Sequence, residues 1–194
     1  KTLGPDPYEA HPPSNSLAYV TQVTNALSQR VQLTYWPCTG LVQAHKDEND
    51  ILAGRAGTTS SYDLFWRLTV KNFPDGGQMT NSYNDTPPVS VTATTKITSA
   101  LNLASTAIRD GLGRVTQSQL DSDPQGVVFT DTTFDALGRK ATVSNPYRSI
   151  GDSTYGITSF GYDALSRVTT MTPPSGGTIA TVYSGNCTTV PDPA

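Results

Sequence analysis

The sequence predicts an all-β fold in which antiparallel β-hairpin repeats stack into a curved, open sheet. Three observations support this prediction. The chain is poor in charged (15%) and hydrophobic (36%) residues, it is rich in turn formers (16 Gly and 14 Pro), and one short motif recurs along it. Helical bundles and coiled coils need Ala, Leu, Glu and Lys repeating at about 3.5 residues, a pattern this chain lacks.

Charge and hydropathy exclude two broad classes of protein. The 194 residues include 13 basic and 16 acidic side chains, so the chain has no electrostatic footprint for binding nucleic acid. No apolar run approaches the ~20 residues of a membrane-spanning helix. Low charge together with abundant Thr and Ser favours an exported bacterial protein, secreted or at the cell surface. The start at Lys1, without Met or signal peptide, suggests a mature product or a fragment of a larger protein.

The first part of the chain divides into an arm and a less regular segment. Residues 1–16 are predicted to form an extended, proline-rich arm, and residues 17–85 are predicted to contain degenerate β-repeats. Within the second segment, residues 16–35 fit either a helical face or alternating strands, and strands are favoured. The charged run from His45 to Asp50 is predicted to be a solvated loop.

The recurring motif is an aromatic residue, Asp, two further residues, usually Gly, and then Arg. Four copies begin at residues 62, 109, 134 and 162, and a degenerate copy with one inserted residue lies at 24–31. The motif residues are Tyr62, Asp63, Arg67, Asp110, Gly113, Arg114, Phe134, Asp135, Gly138, Arg139, Tyr162, Asp163 and Arg167.

Each copy predicts one hairpin. The aromatic ring ends a strand, Asp accepts hydrogen bonds from backbone N–H groups just ahead, and Gly takes a positive φ in a type I turn with a G1 bulge. Pro/Gly clusters about ten residues later predict the turns at the other end of the strands. The first clear copy carries Phe65 and Trp66 in place of a small residue and Gly, so its turn is expected to differ.

The motif, followed by clusters such as Pro74-Asp75-Gly76-Gly77, resembles the YD-repeat or RHS (rearrangement hotspot) family. Residues 134–139 and 162–167 match best, and the resemblance covers mainly residues 55–77 and 105–190. It implies long β-sheets that spiral into a shell around a toxin. The implied partners are further repeats of a parent protein and toxin cargo. A fragment of such a sheet has unpaired strands at both ends, so it is also expected to pair with a second copy through its edge strands.

The remaining segments follow from the spacing of the copies. Residues 86–108 form a Thr-rich insert or irregular repeat. Here Val89, Val91 and Ala93 alternate as in a strand, whereas Ile97, Leu101, Ala104 and Ile108 also fit a helix. Residues 109–194 are predicted to contain regular repeats, and the last of these, which begins at Tyr183, is cut short. Cys38 and Cys187 could pair in an oxidising compartment.

No catalytic, metal or cofactor site is predicted. A Ser/His/Asp triad needs a histidine, and the two in the chain, His11 and His45, lie in the arm and the charged run. The run His45–Asp50 lacks the alternating carboxylates and Gly of a calcium loop. The motif Asp residues are better explained as turn formers than as glycosidase carboxylates, and the motif Arg residues as partners of the Asp or of an aromatic ring.

The sequence therefore predicts a non-enzymatic structural segment that encloses cargo or contacts a partner. A carbohydrate-binding or adhesion module is the alternative, because aromatic rings on a β-surface bind sugars. A hydrolase with an unrecognised site is the second alternative. The candidate sugar-binding rings are Trp36, Tyr62, Trp66, Tyr83 and Tyr162.

Overall fold

The computed structural model describes residues 19–36 and 39–190. The predicted arm, His11 and Cys38 lie outside the described residues, so the pairing of Cys38 with Cys187 stays a prediction. Cys187 itself is exposed. Among residues 19–36 and 39–190, no helix has the length and apolar character that a membrane-spanning segment requires.

The described residues form sixteen strands and one short helix. The strands are β1 Gln22–Thr24, β2 Arg30–Tyr35, β3 Val42–Lys46, β4 Thr58–Tyr62, β5 Leu68–Asn72, β6 Gln78–Asn84, β7 Val89–Lys96, β8 Asn102–Arg109, β9 Val115–Leu120, β10 Val128–Phe134, β11 Lys140–Ser144, β12 Ile157–Tyr162, β13 Val168–Thr172, β14 Ile179–Ala180, β15 Val182–Ser184 and β16 Cys187–Thr189; the helix is α1 Glu48–Leu52.

Strands β1 to β14 form one open antiparallel sheet whose spatial order follows the chain, and β15 and β16 form a separate hairpin. The predicted all-β fold of antiparallel hairpins is confirmed. The chain divides into two compact units. Unit 1 contains residues up to 82 and residues 94–102, and unit 2 contains residues 83–93 and those from 103 onward.

Two recurring kinds of turn join many of the strands, and each kind comes from one of the two turn motifs in the sequence. The Asp-headed motif joins β4 to β5, β8 to β9, β10 to β11 and β12 to β13, and its Asn-headed copy joins β1 to β2. The Pro/Gly clusters join β5 to β6, β9 to β10 and β13 to β14. In an antiparallel sheet, successive turns lie at opposite ends of the strands. Within unit 2, the three Asp-headed turns therefore lie at the same end of the strands.

Two helix alternatives are decided in favour of strands. Residues 22–35 form β1 and β2, as the favoured interpretation predicted, with Val23 opposite Val31. The helix alternative around Ile97 and Leu101 is wrong, because the Ile97 N–H donates to the Leu101 carbonyl in a tight turn between β7 and β8. Alternation of side chains in this Thr-rich segment outweighs the helical spacing.

The predicted solvated loop from His45 to Asp50 is also wrong. His45 belongs to β3, and Asp47 begins the helix α1 with a capping box in which Asp47 and Asp50 bond each other's backbone N–H. Asp50 is only 4% exposed and pairs with Arg55 at 2.8 Å. The Glu48 carboxylate binds the Arg30 guanidinium at 2.8 Å. A dense run of carboxylates here caps and anchors a helix.

No hydrophobic side chain among the described residues is fully buried. Most strand residues are half-buried on both faces, as in β7 and β13. The sheet is held by backbone pairing and by contacts between polar and aromatic side chains.

Candidate functional site

The candidate site is the set of five Asp- or Asn-headed turns, which we call the YD turns: residues 25–29, 63–67, 110–114, 135–139 and 163–167. In the turn at 135–139, the Asp135 N–H donates to the Arg139 carbonyl at 2.8 Å, and the Gly138 N–H donates to the Asp135 carbonyl at 2.9 Å. Gly138 has φ +80°, and the strand register shifts just before the turn. These features give the type I turn with a bulge that the sequence predicts.

The Asp side chain organises the turn through three hydrogen bonds. The Asp135 carboxylate accepts from the backbone N–H of Leu137 and of Arg139, both at 2.9 Å, and from Nε of Arg139 at 2.7 Å. The turns headed by Asp63, Asp110 and Asp163 repeat this pattern. The donors lie two and four positions ahead, so the carboxylate spans the whole turn and also holds the Arg.

These hydrogen bonds favour the ionised carboxyl group. The backbone N–H of Arg139 and the Arg139 guanidinium hold the pKa of Asp135 below its usual value, although partial burial opposes the shift. The Arg114 guanidinium lowers the pKa of Asp110 in the same way, and the backbone N–H of Arg167 lowers the pKa of Asp163. The turn carboxylates are therefore fixed anions paired with cations, which is unsuited to proton transfer near neutral pH.

The turn does not require glycine at its fourth position. Trp66, Ser166 and Ser28 occupy that position with φ of 62°, 61° and 62°. The expectation that the turn containing Phe65 and Trp66 differs is wrong, because the Asp63 N–H still donates to the Arg67 carbonyl at 3.0 Å. The carboxylate bonds of Asp63 outweigh the strain of a positive φ at a tryptophan.

The degenerate copy folds as a YD turn of the ordinary length. The Asn25 N–H donates to the Gln29 carbonyl, and the Asn25 side chain accepts from the Leu27 and Gln29 N–H groups. Gln29 thus takes the position of the motif Arg, and the predicted inserted residue is not present in the turn. Arg30 follows the turn and pairs with Glu48.

In unit 2, each motif Arg lies over an aromatic ring that belongs to the next repeat. The guanidinium carbon of Arg114 is 4.4 Å from the centre of the Phe134 ring, and that of Arg139 is 4.5 Å from the Tyr162 ring. Arg167 lies 4.2 Å from the Tyr183 ring. We call this series of contacts the Arg ladder. The sequence predicts Asp or aromatic partners for these Arg residues, and the structure provides both at once.

The tyrosine hydroxyl adds a second link between repeats. The Tyr162 hydroxyl donates to the Lys140 carbonyl at 2.8 Å, and the Tyr183 hydroxyl donates to the Val168 carbonyl at 3.0 Å. In both cases the acceptor directly follows the Arg that covers the ring. Arg109 stands where the other copies have an aromatic residue, and its guanidinium donates instead to the Gly113 carbonyl of its own turn at 2.9 Å.

One cluster in unit 2 was not found from the sequence. Asp131 accepts hydrogen bonds from the Tyr147 hydroxyl and from the Gln117 side chain, and the Asp131 N–H donates to the buried Ser144 hydroxyl. The Asp131 carboxylate raises the pKa of Tyr147 to about 12. These residues lie outside every motif copy, so no repeat signal marks them. Their hydrogen bonds to one another fasten the loop between β11 and β12 onto β10.

The other candidates do not assemble into a reactive site. Among residues 19–36 and 39–190, no three His, Cys, Asp or Glu side chains are grouped so that they could hold a metal ion. Of the five candidate sugar-binding rings, only Trp66 is exposed. The Trp36 indole donates to the Ser60 carbonyl, and the Tyr62 hydroxyl donates to the Val42 carbonyl.

Comparisons with known proteins give a match in fold. No family model matches the chain, and no curated protein matches its sequence. A chain in the structure of the Photorhabdus luminescens Tc holotoxin pore with the TccC3-D651A mutation is similar over 87% of this chain, at 13% identity and a TM-score of 0.61. A chain in the crystal structure of TcdB2-TccC3-TEV is similar over 80%, at 15% identity and a TM-score of 0.44. This chain spans 9% and 10% of those two chains.

Proposed function

We propose that this chain, which has an RHS/YD-type repeat fold by its motif and its structural match, is a non-enzymatic structural segment of an exported bacterial protein. Its repeats form part of a wall that encloses cargo or contacts a partner. The first matched structure belongs to a toxin complex, and by analogy we propose a toxin as the cargo.

The observation that carries this proposal is the Arg ladder. Each motif Arg in unit 2 is bonded to the Asp of its own turn and lies over the ring of the following repeat. The same two contacts recur in every step, so a repeat added at the end of the series can form them with the repeat before it. Stability then comes from neighbouring repeats, as in other repeat proteins.

The described residues include no fully buried hydrophobic side chain, which supports a wall rather than a self-contained globule. A globular enzyme of this size normally buries a core beneath its active site. Here the described residues leave both faces of the sheet partly exposed. Further repeats of a parent protein, or the cargo, are the partners that this arrangement needs.

Hydrogen exchange tests whether the Arg ladder couples successive repeats. We expect Arg114→Gln to lower amide protection in β10 and β11 by roughly fivefold, because the ring of Phe134 loses the cation above it. The matched control is Arg109→Gln, because the Arg109 guanidinium bonds within its own turn. Protection lost only at 108–116 in both variants would contradict the coupling.

A substrate panel tests the non-enzymatic part of the proposal. We expect no turnover of ester, peptide or glycoside substrates, since the described carboxylates of the YD turns are committed to Arg and backbone donors. The panel is run beside His45→Ala, which removes the one histidine of the described residues. Turnover by the unaltered chain that is lost in His45→Ala would instead support the hydrolase alternative.

A further inference from the structure

The third position of every YD turn carries a large apolar side chain that is exposed. The exposed fractions are 79% for Leu27, 72% for Phe65, 79% for Leu112, 74% for Leu137 and 73% for Leu165. Single exposed apolar residues are common on protein surfaces. An apolar residue at the same turn position in five turns of one chain is a pattern with a common cause.

The turn itself does not require this side chain. At each of these positions the backbone N–H donates to the Asp or Asn side chain two residues earlier, as Leu137 does to Asp135. Phe65 has one further contact within its own turn, because the Arg67 guanidinium carbon lies 5.1 Å from the centre of its ring. The residues that favour turns of this kind are Asn, Asp, Ser and Gly. The hydrogen bonds of the turn therefore do not account for the apolar side chain.

In unit 2, three of these side chains form a row, which we call the Leu row: Leu112, Leu137 and Leu165. The three turns lie at the same end of the strands, and each turn is displaced from the next by two strand spacings, so successive Leu residues are about 9–10 Å apart. This distance is too large for the side chains to cover one another. The charges beside them are neutralised, because each turn pairs its Asp with its Arg.

We propose that the Leu row docks onto another run of the same hairpin repeats, and that for this chain alone the occupant is a second copy. A partner that receives each Leu in the same way must repeat at about 9–10 Å, which is the two-strand period of a β-hairpin array. An uncharged, apolar row excludes an electrostatically steered partner such as a nucleic acid. The inference rests on the proposed function, since it assigns the surface by which one stretch of wall meets another.

Sedimentation velocity over a wide concentration range tests the docking. We expect the chain to self-associate, and the triple variant Leu112→Asn, Leu137→Asn, Leu165→Asn to associate at least about tenfold more weakly, because three apolar contacts are lost. Asn suits the turn, and far-ultraviolet circular dichroism checks that the variant keeps its fold. The matched control is Ile150→Asn. Ile150 is 75% exposed but lies in the loop between β11 and β12, at the opposite end of the strands from the Leu row. Its replacement should leave association unchanged.

Three results would overturn the proposal. One is a strictly monomeric chain. Another is association that the triple variant retains in full; the single variant Leu137→Asn replaces the triple variant if that one misfolds. The last is association abolished by Val23→Lys in the edge strand β1 but not by the Leu variants, which would assign the contact to strand pairing. The proposed function has its own readout in the protection of β10 and β11, so the two can fail separately.

Discussion

Replacing Gly57 with Ala is expected to lower the free energy of unfolding by about 3–5 kcal/mol. Gly57 has φ +74°, and a Cβ built on it would lie 2.4 Å from the His45 carbonyl oxygen and 2.7 Å from Cγ of Lys46. The carbonyl belongs to β3, and β3 pairs with β4, which begins directly after Gly57. Neither strand can therefore move without breaking this pairing. Urea unfolding followed by circular dichroism measures the loss.

Gly54→Ala is the matched control for this prediction. Gly54 has a similar φ of +64°, but nothing lies within 4 Å of the position of its Cβ. We therefore expect a loss of about 1 kcal/mol from backbone strain alone. Equal losses in the two variants would show that the close approach to β3 has no energetic weight.

Tyr162→Ala is expected to lower the free energy of unfolding by about 2–3 kcal/mol. The half-buried Tyr162 ring lies beneath the Arg139 guanidinium at 4.5 Å, and its hydroxyl donates to the Lys140 carbonyl. Removal of the ring breaks both links between the two repeats. The measurement is again urea unfolding at fixed pH and salt concentration.

The control Tyr162→Phe keeps the ring and removes only the hydroxyl. We expect it to cost about 1 kcal/mol, the ordinary net contribution of one hydrogen bond. Because Arg139 and Tyr162 are in contact, the losses from Arg139→Gln and Tyr162→Ala should not add in the double variant. Additive losses would mean that the ring stabilises its own strand and does not join two repeats.

Local hydrogen bonding explains why the turns could be predicted from the sequence. Asp, a small turn residue and Gly within five positions fix a type I turn with a bulge, and the turn at 135–139 has that geometry. The same argument misjudged Trp66, because it treated glycine as a requirement. The carboxylate of Asp63 supplies enough hydrogen bonds to hold a tryptophan at a positive φ.

Contacts between residues distant in sequence could not be predicted in the same way. The sequence left open whether a motif Arg meets its own Asp or a ring, and the ring that Arg139 covers lies 23 positions further along the chain. The helix at Glu48–Leu52 was missed for a related reason. Its carboxylates are satisfied by Arg30 and Arg55, whose proximity depends on how the chain folds.

The sequence by itself determined the all-β class, the hairpin repeat and the position of most turns, because these follow from hydrogen bonds within about five residues. Only the tertiary structure decided which ring each motif Arg covers and how the hydrogen bond between Asp131 and Tyr147 fastens a loop. It also decided that three Leu side chains lie at the same end of the strands. These features depend on strand order and register, which bring together residues that no local spacing relates.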